Sequence, residues 1–308
     1  MKVTLLGTGM PQPDVARRGP SQTIEIGDDV LLVDCGAGTL HRLLESGQTG
    51  ARIRRIALTH LHSDHTTGLA DLLWAGWTQR WWSTPPPVVG PPGTKDLIRT
   101  LIDAYSYDIA VRTKEGAISR SSLEPEVIEI EDGWNDPTDH WQLRAFRVDH
   151  SPVDQAFGFR IDADAGSVVV SGDTSKSENL IRNARDTDLL IHEVIWRTGM
   201  EQLMASSSDP KQQARWARIL RYHTPADDLG VVAAESAARH LVLTHIIVPN
   251  GVPADLERDV RRGYDGPLTT GEDLATFRVE NRHERQDRDR LRAARPSGKA
   301  VAPEREPA

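Results

Sequence analysis

An α+β fold, with two sheets packed face to face and helices on their outer sides, is the class that the sequence predicts. Two observations carry it. Short strand-type runs are numerous in both halves of the chain, and helical runs are interleaved with them without the strict alternation of a parallel α/β protein. A third concerns organisation: 308 residues can bury a large core, and no linker-like composition appears before residue 281. One domain over 1–280 and a charged, disordered tail over 281–308 are expected.

The first strands are "KVTLLGTG", "QTIEIGD" and "DVLLVDCG", the last two joined through a Gly27-Asp28-Asp29 hairpin connection. "GTLHRLLESG" reads as a short helix closed by Gly47. "IRRIALTH" is a strand, and "TGLADLLWAGW" after it has helical spacing. "PPPVVGPPGT" breaks any helix, and "TKDLIRTLIDAYSYDI" resumes one. "EVIEIED", "WQLRAFRVDH", "AFGFRID" and "SVVVSGDT" are strands, followed by a helical "SENLIRNARD" and a buried-type strand "TDLLIHEVI". "SSSDPKQQARWARILRYH" mixes a polar loop with a helix. In "TPADDLGVVAAESAA" a helix is expected with Thr224 as N-cap, Pro225 at its first position and Asp227 closing a capping box. "HLVLTHIIV" is a strand, "DLERDVRRGY" a helix, and "LTTGEDLATFRVE" a helical turn and a final strand.

Composition excludes several function classes. No run approaches the roughly 20 apolar residues of a membrane span, and the N-terminus reaches glycine too early for a secretory signal. A cytoplasmic location without membrane contact is the expectation. The single Cys35 cannot form an internal disulfide, so a metal site would have to be built from histidine and carboxylate. The net charge of −8 argues against tight nonspecific nucleic-acid binding, and the body is more acidic still, because the tail is basic.

"LTHLHSDHTTG" places three histidines and an aspartate between His60 and His65. Such groups must be hydrogen-bonded, solvated or given to a cation. His60 and His62 lie two apart at a strand end and project to one side, whereas Asp64 and His65 fall in the turn beyond. Two pairs suit two metals better than one, and further ligands must then come from elsewhere. Three later strands end in candidates: His150, Asp173 and His245.

With "LLGTGMPQP", "VDCGAG", "HLHSDH", "VVGPPGT", "VDHSP", "FGFRI", "SGDT", "LLIHE", "HTP" and "LTH" in this order, the chain resembles the metallo-β-lactamase superfamily, and within it the ribonuclease Z-like branch. The resemblance covers nearly all of the first 280 residues. It implies a four-layer αββα sandwich and two Zn2+ ions per chain. His60, His62 and His150 would hold one ion and Asp64, His65 and His245 the other, with Asp173 bridging both. It implies hydrolysis by a metal-bridging hydroxide, for which Asp64 is the natural proton acceptor. His223, in "YHTP", would contact the scissile phosphate or leaving group as general acid; otherwise it only precedes a helix. Asp34 is expected to fix the loop carrying His60 and His62, and His192 and Glu193 to support the ligands or form a buried structural pair. His41, His140, His240 and His283 match no motif.

The substrate is less directly written. A tRNA-processing ribonuclease Z carries a long basic arm after the "FGFRI" strand, and "FGFRIDADAGSVVVSGD" leaves no room for it. Trp74, Trp77, Trp81 and Trp82 form one helical face, read either as core or dimer packing or as an aromatic wall over the metals. A phosphodiesterase acting on RNA 3′ ends or small diesters is favoured by His223, with the missing arm and acidic body pointing away from RNA. An arylsulfatase- or lactonase-like hydrolase of small molecules is the alternative, and a non-catalytic metal-binding protein the second. A homodimer follows from the resemblance alone.

Overall fold

The structure is a computed structural model that describes residues 1–114, 116 and 118–280. The charged tail expected from Asn281 lies outside the described residues. In chain order the elements are β1 (Lys2–Gly7), β2 (Ser21–Ile26), β3 (Asp29–Val33), α1 (Thr39–Glu45), β4 (Ile53–Ala57), α2 (Ser63–Thr66), α3 (Leu69–Thr78) and β5 (Val88–Gly90). There follow α4 (Thr94–Ala104), α5 (Ser106–Lys114), β6 (Val127–Glu129), β7 (Asn135–Pro137), β8 (Trp141–Arg147), β9 (Phe157–Ala163) and β10 (Gly166–Val170). The remainder comprises α6 (Glu178–Asn183), β11 (Leu189–Ile195), α7 (Arg197–Ser206), α8 (Pro210–Tyr222), α9 (Ala226–Glu235), β12 (Leu241–Ile247), α10 (Pro253–Val260), β13 (Leu268–Thr270) and β14 (Thr276–Arg278).

Among the described residues the strands form two seven-stranded sheets, ordered β14-β1-β2-β3-β4-β5-β6 and β13-β12-β11-β10-β9-β8-β7. Each has an antiparallel part and a parallel part, meeting at β3 in the first sheet and at β10 in the second. Alternation builds the layers. Leu31 and Val33 of β3 face Val168 and Val170 of β10 in the core between the sheets. Val30 and Leu32 turn outward to α1, α3 and α4, and Val169 and Leu190 outward to α6 and α9. Both faces of each sheet are thus buried, and the architecture is the expected αββα sandwich.

Several local expectations are corrected. The β2–β3 hairpin turns on Gly27 and Asp28, with Ile26 pairing Asp29 and Gly27 at φ 58°. The stretch read only as a helix breaker contains β5, a three-residue strand between β4 and β6. The long helix expected after it divides at Tyr105 into α4 and α5. The last segment holds two strands, β13 and β14, one in each sheet. Thr224 does not cap α9: its hydroxyl donates to the Thr174 carbonyl, and Asp227 is engaged by Arg197. The polar stretch after β11 is helical on both sides of Ser207, as α7 and α8.

Candidate metal centre

The carboxyl ends of β3, β4, β8 and β10 open on one edge of the sandwich, and β12 passes beside them. Asp34 follows β3 directly and adopts φ 58°, a left-handed conformation more often taken by Asp and Asn than by other side chains. Its Oδ1 accepts from the Thr59 amide at 2.8 Å and its Oδ2 from His65 Nδ1 at 2.9 Å. The Thr59 hydroxyl donates to Asp34 and accepts from His60 Nδ1 at 3.1 Å. Asp34 therefore orients His60 through Thr59 and His65 directly, a narrower role than fixing the whole loop. The two loops also touch backbone to backbone: a Cβ on Gly36 would collide with the Asp64 carbonyl, and one on Gly68 with the Gly36 carbonyl.

His60 and His62 leave β4 together, while Asp64 and His65 lie in the single turn of α2. His150 donates through Nδ1 to the Tyr222 carbonyl at 3.0 Å, which leaves Nε2 facing His62 Nδ1 at 3.3 Å. Asp173 stands between the two groups. Its Oδ2 is 3.8 Å from His60 Nε2, 3.9 Å from His150 Nε2 and 3.4 Å from His245 Nε2, and its Oδ1 is 3.3 Å from His65 Nε2. Asp64 Oδ2 accepts from His245 Nε2 at 3.2 Å. His245 reaches this position through a slip of register, because Glu193 pairs with Thr244 but Val194 with Ile246, and His245 itself sits at φ 42°.

Two candidate ligand sets can be drawn, His60/His62/His150/Asp173 and Asp64/His65/His245, and a third group, Asp173/His223/His245, takes one residue from each and adds His223; in every group the candidate donor atoms lie within 4.8 Å of one another. The donor chemistry fits divalent cations. His60 Nε2, His65 Nε2 and Asp173 Oδ1 are buried without a hydrogen-bond partner, although buried polar atoms nearly always have one. Burial holds His60 well below the usual imidazole range and also lowers His62 and His150, so these rings present lone pairs. Burial alone would lower His65 as well, but Asp173 and Asp34 hold it well above. The Asp173 carboxyl, despite its burial, is held well below its ordinary value by His245 and His65. A carboxylate gathered among so many imidazoles is suited to bridging.

Glu193 and His223 adjoin this centre. Glu193 Oε1 accepts from His223 Nδ1, and against the effect of burial the carboxylate pushes His223 up to about 9. The His223 ring stacks on His245 with centroids 5.3 Å apart. His192, expected alongside Glu193, directs Nδ1 to the Glu193 carbonyl rather than to the cluster.

A cavity of about 410 Å3 lies over the cluster, bordered on one side by His62, Asp64, Asp173, His223 and His245. Its other wall was missed in the sequence: Met200 and Leu203 of α7 and Arg215, Trp216 and Ile219 of α8. Their signal was a helical apolar spacing interrupted by Ser-Ser-Ser-Asp-Pro. The tryptophans expected there lie elsewhere. Trp74, Trp77, Trp81 and Trp82 pack in the outer core with α1, α3 and α4, where Trp77 Nε1 donates to the Ser119 carbonyl and Trp82 Nε1 to the Gly50 carbonyl. The apolar face of α3 is turned to the sheet, which is the core reading of that stripe.

Comparison with known proteins is consistent with this geometry. Residues 21–231 match the family model described as the metallo-beta-lactamase superfamily. Proteins named ribonuclease Z from Mycolicibacterium gilvum and Mycobacterium bovis are 34% and 33% identical to this chain, over 91% and 92% of it and 96% and 99% of their own lengths. Human tRNase Z, short form, superposes with a TM-score of 0.68 at 22% identity, covering 91% of this chain and 99% of that one. The metallo-beta-lactamase fold protein YhfI of Bacillus subtilis gives 0.66 at 21% identity, over 90% of this chain and 98% of its own.

Proposed function

The chain belongs to the metallo-β-lactamase superfamily, in its ribonuclease Z-like branch of metal-dependent hydrolases, and we propose that it cleaves phosphodiester bonds near RNA 3′ ends. In this reading the metal is zinc, held by His60, His62 and His150 on one side, by Asp64, His65 and His245 on the other, and by Asp173 between them. The observation that carries it is the convergence of these seven side chains, with buried donor atoms that have no other partner, in a chain about a third identical along its length to proteins named ribonuclease Z. When bound, the ions supply Lewis acidity and an activated water. Asp64, which lines the cavity, would serve as the proton acceptor there. His223 gives a proton to the departing ribose oxygen, and Glu193 holds its ring and favours its charged form. Met200, Trp216 and Ile219 limit the water that reaches the reacting phosphate. A cytoplasmic setting belongs to the same reading and suits the lone buried thiol of Cys35; no helix among the described residues is long and apolar enough to cross a membrane.

A small diester as the physiological substrate is the second reading. It is favoured by the turn between β9 and β10, where Ala163 pairs with Gly166 across Asp164 and Ala165, leaving no arm. One assay series separates the possibilities. The zinc-loaded protein is offered bis(p-nitrophenyl) phosphate, an aryl sulfate, a lactone and an RNA with a 3′ trailer. Turnover of both phosphodiesters is expected; turnover of the sulfate or lactone alone would overturn the proposal.

A further inference from the structure

The hairpin of α7 and α8 has a second face. From Pro210 to Tyr222, α8 reads "PKQQARWARILRY" and contains no acidic residue. Lys211, Arg215, Arg218 and Arg221 recur at spacings of four, three and three, which places them along one side of the helix. All four are exposed, and among the described residues none makes an ion pair or side-chain hydrogen bond. Several arginines on other helices are paired: Arg99 with Asp96, Arg112 with Asp108, Arg258 with Asp255 and Arg197 with Asp228. In a chain of 45 acidic and 37 basic residues, four unpaired cations in line are a local reversal of charge.

The position of the stripe matters as much as its sign. Arg215 borders the cavity over the metal cluster. Arg221 borders a neighbouring cavity of about 500 Å3 that His150 and Tyr222 also line. At about 1.5 Å of rise per residue, the stripe from Lys211 to Arg221 is about 15 Å long, and a stacked strand carries a phosphate about every 3.4 Å. The opposite face of α8 is already engaged, with Trp216, Ile219 and Leu220 packed against Ile195, Met200 and Ile247. No apolar face is left for insertion into a bilayer, so a nucleic-acid strand is favoured over an anionic membrane.

We infer that the outer face of α8 is the docking surface for the substrate's sugar-phosphate backbone, with Lys211, Arg215, Arg218 and Arg221 contacting successive phosphates of the strand entering the cavity. This rests on the proposed reading of the substrate as RNA. It gives the chain an electrostatic footing on a polyanion that its overall charge does not provide and that no arm between β9 and β10 supplies.

The test uses the full zinc-loaded chain, a fluorescein-labelled single-stranded RNA and the variant K211Q/R218Q/R221Q, which leaves Arg215 in place because it borders the catalytic cavity. Binding is read by anisotropy across a salt series, alongside turnover of bis(p-nitrophenyl) phosphate. Removing three phosphate contacts should weaken RNA binding about tenfold near physiological salt and flatten the log K against log salt slope by about 2. The charge-conserving variant K211R/R218K/R221K should bind like the parent, and both should hydrolyse the small diester normally. Unchanged RNA affinity and slope in the glutamine variant would overturn the inference. So would parent binding to phosphatidylserine vesicles but not to RNA. Absent RNA binding with the small diester still turned over would remove the docking surface and the RNA substrate while leaving phosphodiester hydrolysis standing. A parent without any phosphodiester turnover would instead remove the proposed function.

Discussion

Glu193 Oε1 accepts three hydrogen bonds, from His223 Nδ1 at 3.0 Å and from the amides of Thr174 and Thr224 at 3.0 and 3.1 Å. One carboxylate oxygen thereby ties β11 to the loop after Asp173 and to the start of α9, and the His223 ring is set as part of the same arrangement. A proton donor matters most when the departing oxygen is a poor leaving group. His223→Ala should lower kcat on RNA by about 10²- to 10⁴-fold and on bis(p-nitrophenyl) phosphate much less, with metal content unchanged. Equal losses on both substrates would show that His223 does not protonate the leaving group.

Asp34 orients two rings while standing outside both ligand sets. Removing such a partner typically weakens metal binding about 10- to 100-fold. Asp34→Ala should therefore bind zinc more weakly by that order in competition with a chromophoric chelator. Asp34→Asn, which keeps an oxygen for the Thr59 amide or for His65, should fall between the two.

Asp173 faces His60 and His150 of the first set and His65 and His245 of the second, so its loss should weaken both sites rather than one alone. Metal analysis of the parent is expected to give two ions per chain, and Asp173→Ala fewer than one. Stripping the parent with a chelator should lower its Tm, because a ligand at about 100 times its Kd stabilises by about 2.7 kcal/mol. A Tm indifferent to chelation would contradict a metal centre within the fold.

The Cys35 thiol is fully buried, and burial pushes it up to about 12 from 9.0. At pH 8 the folded protein should resist iodoacetamide and release one reactive thiol on denaturation. The raised value favours the protonated thiol in the folded state. Its stabilisation is complete below pH 9.0 and lost as pH rises towards about 12, by up to about 1.4 kcal/mol per unit. Cys35→Ala should flatten the parent's decline in stability across that window, as read by urea unfolding.

The His/Asp cluster was legible because strand ends present side chains in fixed directions: His60 to His65, His150 and Asp173 all follow strands. His245 was found by the same reasoning but lies inside β12, where a register slip no spacing rule reveals turns its ring to the cluster. The four tryptophans show the limit of periodicity, which gives the width of an apolar face but not which layer it meets. Thr224 has the residue type and position of an N-cap, yet the carbonyl of Thr174, distant in sequence, competes successfully for its hydroxyl. The wall formed by Met200, Leu203 and Trp216 was hidden because its two halves acquire a common face only when α7 and α8 pack together.

The left-handed backbone at His245 carries a consequence for the evolution of the chain. Glycine or asparagine would sit there with less steric penalty, of the order of 1 kcal/mol, so selection for robustness alone favours discarding the imidazole. A histidine held in that uncomfortable bend marks a trade of backbone ease for chemistry, and His245→Gly should lose metal affinity and turnover together.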